Sequence, residues 1–323
     1  MSRKNKIILG RRKPLVKKLL LIEGIGRAGK FLAANIINGF ADVEPVQLCG
    51  LLEHIPFFAR LGFIKKRAAE ELLHHEIDMH CYEMLIGRNL NYRLFDKSSI
   101  FNNPKYKKLL LRSKEPDPDK ELKSFYKRGA YSFFLLHEVL PDIGIYFDAF
   151  PEIKIISLGR SPADLVYSWH SRRVIGNLGN NPKFFRIPLQ GSKGPIPWYY
   201  YENPKKYESL NSMDRTIAAI ENLFKRYESA EKKFSAREKK KILFLRYEDF
   251  LERTTDTIKV IQKFLGKKPI KGMNKILKLE KLPNPNYSKS KKEERLKEIK
   301  AKASPRYFKR LLALENKYFN NAG

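Results

Sequence analysis

Long apolar runs are missing from this chain. Nowhere do 18 or more apolar residues stand together, so no segment reads as a bilayer-spanning helix. Cysteine is scarce as well. Cys49 and Cys81 are the only two, which excludes a disulfide framework and fits a reducing compartment. Neither zinc-finger spacing nor the aromatic consensus of an RNA-binding RRM occurs, so no specific nucleic acid is expected. Histidines gather in His74-His75-Glu76-Ile77-Asp78-Met79-His80-Cys81, without the His-Glu-x-x-His spacing of a zincin. His75 and His80 are five apart, which turns them about 140° from each other on a helix, and no metal is expected there. Acidic residues are also short: 35 Asp+Glu face 65 Lys+Arg, a formal +30. A surface of that sign attracts polyanions, including nucleotides, acidic glycans and anionic membrane surfaces, without choosing among them. Much of the excess is lysine spread over helical segments, where it reads as a solvated face. Basic residues at the N-terminus (Arg3, Lys4, Lys6, Arg11, Arg12, Lys13) lead into a short apolar run that reads as a core strand rather than a signal peptide. A cytoplasmic protein is expected.

What is present is concentrated in residues 18–38. The run Leu19-Leu20-Leu21-Ile22 has the character of a strand buried on both faces. Gly24, Gly26 and Gly29 follow, with Arg27 and Lys30 among them, and an apolar segment of helical length begins at Phe31. A strand, a glycine-rich turn and a helix N-terminus together make an anion site: backbone N–H groups point into the turn and the helix dipole adds positive charge.

Along the rest of the chain, residues 46–49 read as a short strand, with 51–56 at the same sheet edge, and 57–80 as helix. Residues 113–127, with Pro116 and Pro118, read as a surface excursion. Residues 130–136 form an apolar run. A clear strand at 153–158 runs into Gly159-Arg160-Ser161-Pro162, where proline suits a helix start. Residues 176–204 form a long loop with an aromatic tail, Trp198-Tyr199-Tyr200-Tyr201. Helices are expected at 213–234 and 254–265, the latter closed by Gly266, with a strand at 242–246 between them. Two further helices are expected near 292–302 and 305–318. Alternating strands and helices predict a three-layer α/β/α fold around a mainly parallel sheet. A single domain over 1–323 is expected, with a nucleotide-binding core at about 18–266 and a basic helical segment at about 267–323.

The loop permits two phosphate chemistries. Gly24 to Lys30 fits the Walker A pattern G-x-x-x-x-G-K, but the Ser or Thr that should follow to hold Mg²⁺ is Phe31. Neither the 153–158 nor the 242–245 strand ends in an acid; both end beside arginine, Arg160 and Arg246. A P-loop kinase or NTPase is therefore disfavoured against a site in which arginine and lysine neutralise phosphate without a metal.

Three separated segments resemble the sulfotransferases that use 3′-phosphoadenosine 5′-phosphosulfate (PAPS). Gly26-Arg27-Ala28-Gly29-Lys30-Phe31-Leu32 resembles the family's 5′-phosphosulfate loop, P-K-S-G-T-T-W or, in carbohydrate and tyrosyl-protein members, G-R-S-G-T-S-L. Residues 155–168 resemble its 3′-phosphate motif, R-(N/D)-P-x-D-x-x-x-S, and Leu245-Arg246-Tyr247-Glu248-Asp249-Phe250-Leu251, followed by Phe264-Leu265-Gly266, resembles its Y-E-D-L and F-L-G segments. The resemblance implies that Arg27 contacts the transferring sulfonate, that Arg160 and Ser168 bind the 3′-phosphate, and that Tyr247 lies near the nucleotide. Lys30 and Phe31 replace two small hydroxyl residues of the loop, and Leu32 replaces a tryptophan common in cytosolic members. In place of the R-K-G segment that closes the family's site, Tyr287-Ser288-Lys289-Ser290-Lys291 is the available substitute.

Sulfonyl transfer needs a base for the acceptor's proton and cations for the leaving charge. Glu53, in Leu51-Leu52-Glu53-His54-Ile55-Pro56, resembles the glutamate after the second strand of tyrosyl-protein and glycan sulfotransferases. His137, in Leu135-Leu136-His137-Glu138-Val139-Leu140-Pro141, resembles the K-T-H-L-P segment of small-molecule members, with Leu135 where that lysine stands. Glu53 is placed first, then His54 and His137. The acceptor implied is a hydroxyl of a glycan, glycolipid or other small molecule; the aromatic tail at 198–201 motivates the sugar, since sugars stack on aromatic faces. The alternative is a non-catalytic polyanion- or nucleotide-binding protein of the same fold.

Overall fold

A computed structural model of the chain describes residues 9–282 and 285–320. Four parallel strands form its central sheet: β1 (Leu19–Glu23), β2 (Ser132–Leu135), β3 (Lys154–Gly159) and, after the small hairpin β4 (Leu189–Gln190) and β5 (Pro195–Ile196), β6 (Ile242–Arg246). Their order is β2-β1-β3-β6.

Strand side chains alternate between the two faces, and helices cover both. Leu19 and Leu21 join Phe134 and Ile155 in one layer with Leu73 and Ile77 of the helix Lys66–Leu85. Leu20 and Ile22 join Phe133 and Ile156 in the other, against Ala33, Ile36 and Ile37 of α1 (Lys30–Ile37). The four apolar residues of β1 are buried, as the run Leu19–Ile22 predicts, and so is Glu23 at its end.

Elsewhere the structure departs from the sequence expectation in physically simple ways. Residues 51–56 belong to a helix rather than a sheet edge. They open α2 (Leu51–Arg60), which is separated from α3 (Lys66–Leu85) by a break at Gly62, where φ is +80°. The segment before α2 forms only isolated bridges here, Val43 to Tyr131 just ahead of β2 and Gln47 to Phe134 within it, because Pro45 between them has no N–H to give a ladder. The expected surface excursion contains a helix, Pro118–Arg128, in which Pro118 occupies the first turn behind an Asp117 cap. The helices Pro162–Ser171, Ser212–Lys233 and Thr254–Leu265 form near the expected bounds, and Gly266 closes the last of them with φ +66°. Helices Pro285–Lys302 and Pro305–Asn320 follow an unanticipated one, Met273–Glu280. Arg3, Lys4, Lys6 and the side chains of Tyr287, Ser288 and Lys289 lie outside the described residues. Among those described, no helix is long and apolar enough to cross a membrane.

Candidate active site

Each of the four parallel strands delivers a site residue at its carboxyl end, the edge at which open α/β sheets bind ligands. β1 feeds the glycine loop, β2 leads through Leu136 to His137, β3 ends beside Arg160, and β6 ends at Tyr247. Two glycines of the loop are required by close approach as well as by backbone angle. Gly24 has φ +150° and a Cβ there would lie 2.3 Å from the Leu158 carbonyl oxygen; Gly29 has φ +96° and a Cβ would lie 2.4 Å from the Tyr247 ring.

Three of the site's segments meet at this loop. The Arg27 Nε donates to Ser168 Oγ at 3.3 Å, and the Arg160 Nη1 donates to the Arg27 carbonyl oxygen at 2.9 Å. The Arg160 guanidinium stands 4.5 Å from the centroid of Tyr247, whose ring also covers Gly29. Arg27 has φ +74°, a costly angle for a non-glycine residue, which turns its side chain toward Ser168. Burial, and then the like charges of Arg172 and Arg160, hold its pKa below the ordinary arginine range. The Arg160 Nε–H is buried with no partner among the described residues. Ser161 caps the helix that carries Ser168, and its hydroxyl donates to Glu315 of the C-terminal helix at 2.7 Å. The basic C-terminal segment thus packs against the Arg160 turn.

Other loop residues take structural positions. Ala28 is fully buried, and Phe31 packs against the core beneath α1. Lys30 turns inward: it is 3% exposed, and its ammonium donates to the carbonyl oxygens of Gly24 at 2.7 Å and Ile25 at 2.9 Å. Burial lowers its pKa to about 8, against the opposing pull of Glu138, Glu23 and Glu53. It keeps its proton at neutral pH and braces the loop from within.

Glu53 and His137 come together. The His137 Nδ1 lies 2.6 Å from Glu53 Oε1, and the His137 backbone N–H donates to the same oxygen at 3.0 Å. Burial and the nearby Lys30 charge hold the imidazole pKa below its ordinary value, although Glu53 pulls the other way. Burial raises the Glu53 carboxyl, but the charge and hydrogen bond of His137, with Arg186 and Lys30, carry it below the usual carboxylate range. His54 stands apart from this pair. It is buried, its Nε2 accepts the Ile187 N–H at 3.2 Å, and its ring packs edge-on against Phe57, so it anchors the 176–204 loop.

That loop supplies a residue that local sequence patterns do not mark. Arg186 pairs through both guanidinium nitrogens with Glu138, whose Oε1 also accepts the Gly26 N–H at 2.9 Å. Arg186 and Glu138 therefore lie directly against Gly26 of the glycine loop. Glu138 holds a left-handed φ of +59°, and Trp169 fixes the other side of Gly26 through an Nε1–H bond to its carbonyl oxygen at 2.7 Å. The aromatic tail at 198–201 is largely packing. Tyr199 and Tyr200 are buried, and Trp198 stacks on Phe57 at 5.7 Å and lies close to the guanidinium groups of Arg60 and Arg226. In the tail Tyr201 is 39% exposed, whereas Phe185, next to Arg186 in sequence, is 83% exposed.

A central parallel sheet flanked by helices, with a glycine loop leading from its first strand into a helix, defines an α/β protein. The sulfotransferase domain family matches residues 85–317, well over half of the chain, and the chain belongs to that family, whose reaction is sulfonate transfer. The match begins after the glycine loop. No curated protein has a significant sequence match to it. Among solved structures, it is similar to a sulfotransferase domain from the curacin biosynthetic pathway, at 13% identity and TM-score 0.48, covering 94% of this chain and 98% of that one. It is also similar to the sulfotransferase domain of the Synechococcus PCC 7002 olefin synthase, at 12% identity and TM-score 0.43, covering 88% and 86%. A third is mouse sulfotransferase SULT7A1 complexed with PAP, at 13% identity and TM-score 0.35, covering 83% and 65%.

Proposed function

We propose that this sulfotransferase moves the sulfonate of PAPS onto a hydroxyl acceptor, a glycan, glycolipid or other small hydroxyl compound, without a metal ion. The observation that carries the reading is the convergence of Arg27, Arg160, Ser168 and Tyr247 from three separated segments on one glycine loop. Arg160 and Ser168 take the 3′-phosphate, and the unpartnered Arg160 Nε–H is a donor available to a phosphate oxygen. Arg27 and the backbone N–H groups at the start of α1 take the 5′-phosphosulfate. His137, with its Nδ1–H held by Glu53, presents Nε2 to the acceptor hydroxyl. The acceptor oxygen bonds to sulfur in line as the bond from sulfur to the bridging phosphate oxygen breaks. His137 takes the acceptor's proton, and the leaving PAP keeps the electron pair beside Arg27.

Calorimetry with PAP is the direct test: saturable binding at one site is expected, and no binding would remove the basis of the reading. Radiolabelled sulfate transfer from PAPS to a panel of glycans, glycolipids and phenols then names the acceptor. The rate should be the same with and without added Mg²⁺. The second reading, a nucleotide- or polyanion-binding protein without catalysis, is favoured by one observation: Lys30 and the Gly26 N–H are already satisfied inside the protein. PAP binding with no transfer to any acceptor would select it.

A further inference from the structure

The histidine-rich face of α3 meets a cysteine that the sequence places far from it. Cys49, just ahead of α2, brings its Sγ within 3.9 Å of Glu76 Oε2, and His80 Nε2 lies 4.0 Å from the same oxygen. The three donor atoms all lie within 4.8 Å of one another. The helical pair that matters is thus Glu76 and His80, one turn apart on one face, rather than His75 and His80. We propose that Cys49, Glu76 and His80 form a zinc site that clasps the start of α2 to α3.

The donor chemistry selects the ion. A thiolate, an imidazole and a carboxylate are zinc ligands, whereas magnesium and calcium avoid sulfur. A thiolate and a carboxylate together balance a divalent charge. Zinc–sulfur bonds of roughly 2.3 Å and zinc–nitrogen or –oxygen bonds of roughly 2.1 Å place tetrahedral ligands about 3.4–3.6 Å apart. The observed 3.9 and 4.0 Å separations are within a small side-chain rotation of that geometry.

Two further features support a cation here. Glu76 is a mostly buried carboxylate, its side chain 15% exposed, in a chain with a formal charge of +30. Yet among the described residues no lysine or arginine reaches it; its ion-pair partners are His75 and His80. The ligands also have the outer partners that orient metal sites. His75 Nδ1 lies 3.2 Å from Glu76 Oε1, which leaves Oε2 for the ion. The Asn89 Nδ2 lies 3.0 Å from His80 Nδ1 and donates to it, so metal binding through Nε2 requires the Asn89 amide to turn over, which sets its oxygen against a protonated Nδ1. Three protein ligands leave a fourth position to water. Cys49 is four residues ahead of Glu53, so the clasp holds the helix that carries that carboxylate.

The test uses the full chain, stripped by chelation and titrated with Zn²⁺ alone in competition with a chromophoric chelator. One zinc per chain is expected, with Cys49→Ser and His80→Ala each weakening it by about 100-fold or more. Co²⁺ loaded into the wild type should give thiolate-to-metal charge-transfer absorption, and Zn²⁺ should raise the unfolding midpoint of the wild type but not of the two variants. Affinity unchanged in both variants, or Co²⁺ binding without a thiolate band, would overturn the site. The Co²⁺ spectrum of the wild type keeps the test decisive even if a variant fails to fold, and none of these readouts depends on sulfonate transfer.

Discussion

The imidazole of His137 and the carboxylate of Glu53 form one unit: Nδ1 to Oε1 is 2.6 Å, and the same oxygen also takes the His137 backbone N–H. Two residues that compete in the sequence for one role therefore divide it. A carboxylate that accepts from both the ring and the backbone fixes the ring's tautomer and orientation, leaving Nε2 to exchange a proton. Glu53 on this reading is a positioning residue and His137 the base.

That division predicts unequal effects of substitution. His137→Ala should lower kcat by roughly 10²- to 10⁴-fold, the usual range for loss of general-base catalysis. Glu53→Gln, which keeps a hydrogen-bonding side chain but removes the charge, should cost about 10- to 100-fold. Calorimetry should find PAP affinity nearly unchanged in both. A Glu53→Gln loss as large as that of His137→Ala, with no change in pH profile, would instead make Glu53 the base.

The pH profile has a direction fixed by the surroundings of His137. Its pKa is held below the ordinary histidine value of 6.5 by burial and by Lys30. The neutral, basic form therefore persists to lower pH, and the acid limb of kcat/KM should fall below 6.5. Lys30→Met removes a positive neighbour and should move the limb up. Glu53→Gln removes a negative one and should move it down. Shifts of the same sign in the two variants would rule out His137 as the titrating group. Lys30→Met should also lower the unfolding temperature, because the Gly24 and Ile25 carbonyls lose a buried donor, at about 1–3 kcal/mol per unsatisfied group.

How legible the site was depends on whether its cause is local. β1, the Pro162 helix start and the Gly266 stop are written into neighbouring residues: an apolar run, a ring that suits a first turn, a residue tolerant of positive φ. The helix Pro118–Arg128 was hidden because proline marks helix starts as well as breaks, and its charged surface offers only a narrow apolar stripe. Arg27, Arg160, Ser168 and Tyr247 were legible as a set through a resemblance, and the structure brings them to one loop. The Glu53–His137 pair, 84 positions apart, leaves no periodic trace. Arg186 was not legible at all, since a single arginine in a long polar loop looks like solvated charge until the fold sets it beside Glu138.

On the proposed reading Arg160 takes the 3′-phosphate, and its contacts predict how that role fails. Arg160→Ala removes the charge-assisted Nε–H donor proposed for the phosphate, and each hydrogen bond to a charged group contributes about 1.5–3 kcal/mol. PAP affinity should drop by roughly 10- to 100-fold per bond lost. Arg160→Lys keeps the charge but loses the planar guanidinium, with its Nε–H donor and its stacking on Tyr247, and should fall between. Unchanged affinity in Arg160→Ala would refute this phosphate assignment.

Arg186 and Glu138 offer a test of how the 176–204 loop is tied to the glycine loop. The Glu138 side chain is nearly fully buried, that of Arg186 is 22% exposed, and Glu138 Oε1 also holds the Gly26 N–H. Arg186→Ala leaves a buried carboxylate with that single donor, which should destabilise the fold by about 3 kcal/mol, the low end for breaking a buried pair because Arg186 is partly solvated. Glu138→Gln keeps the shape and the left-handed backbone but loses the charge, and should cost less. The double variant should be more stable than the sum of the two losses predicts, because neither charge is then left alone. Urea unfolding of the four proteins measures this coupling directly. Additive losses would show that Arg186 reaches Gly26 without energetic connection, and that the loop is placed by His54 and Ile187 instead.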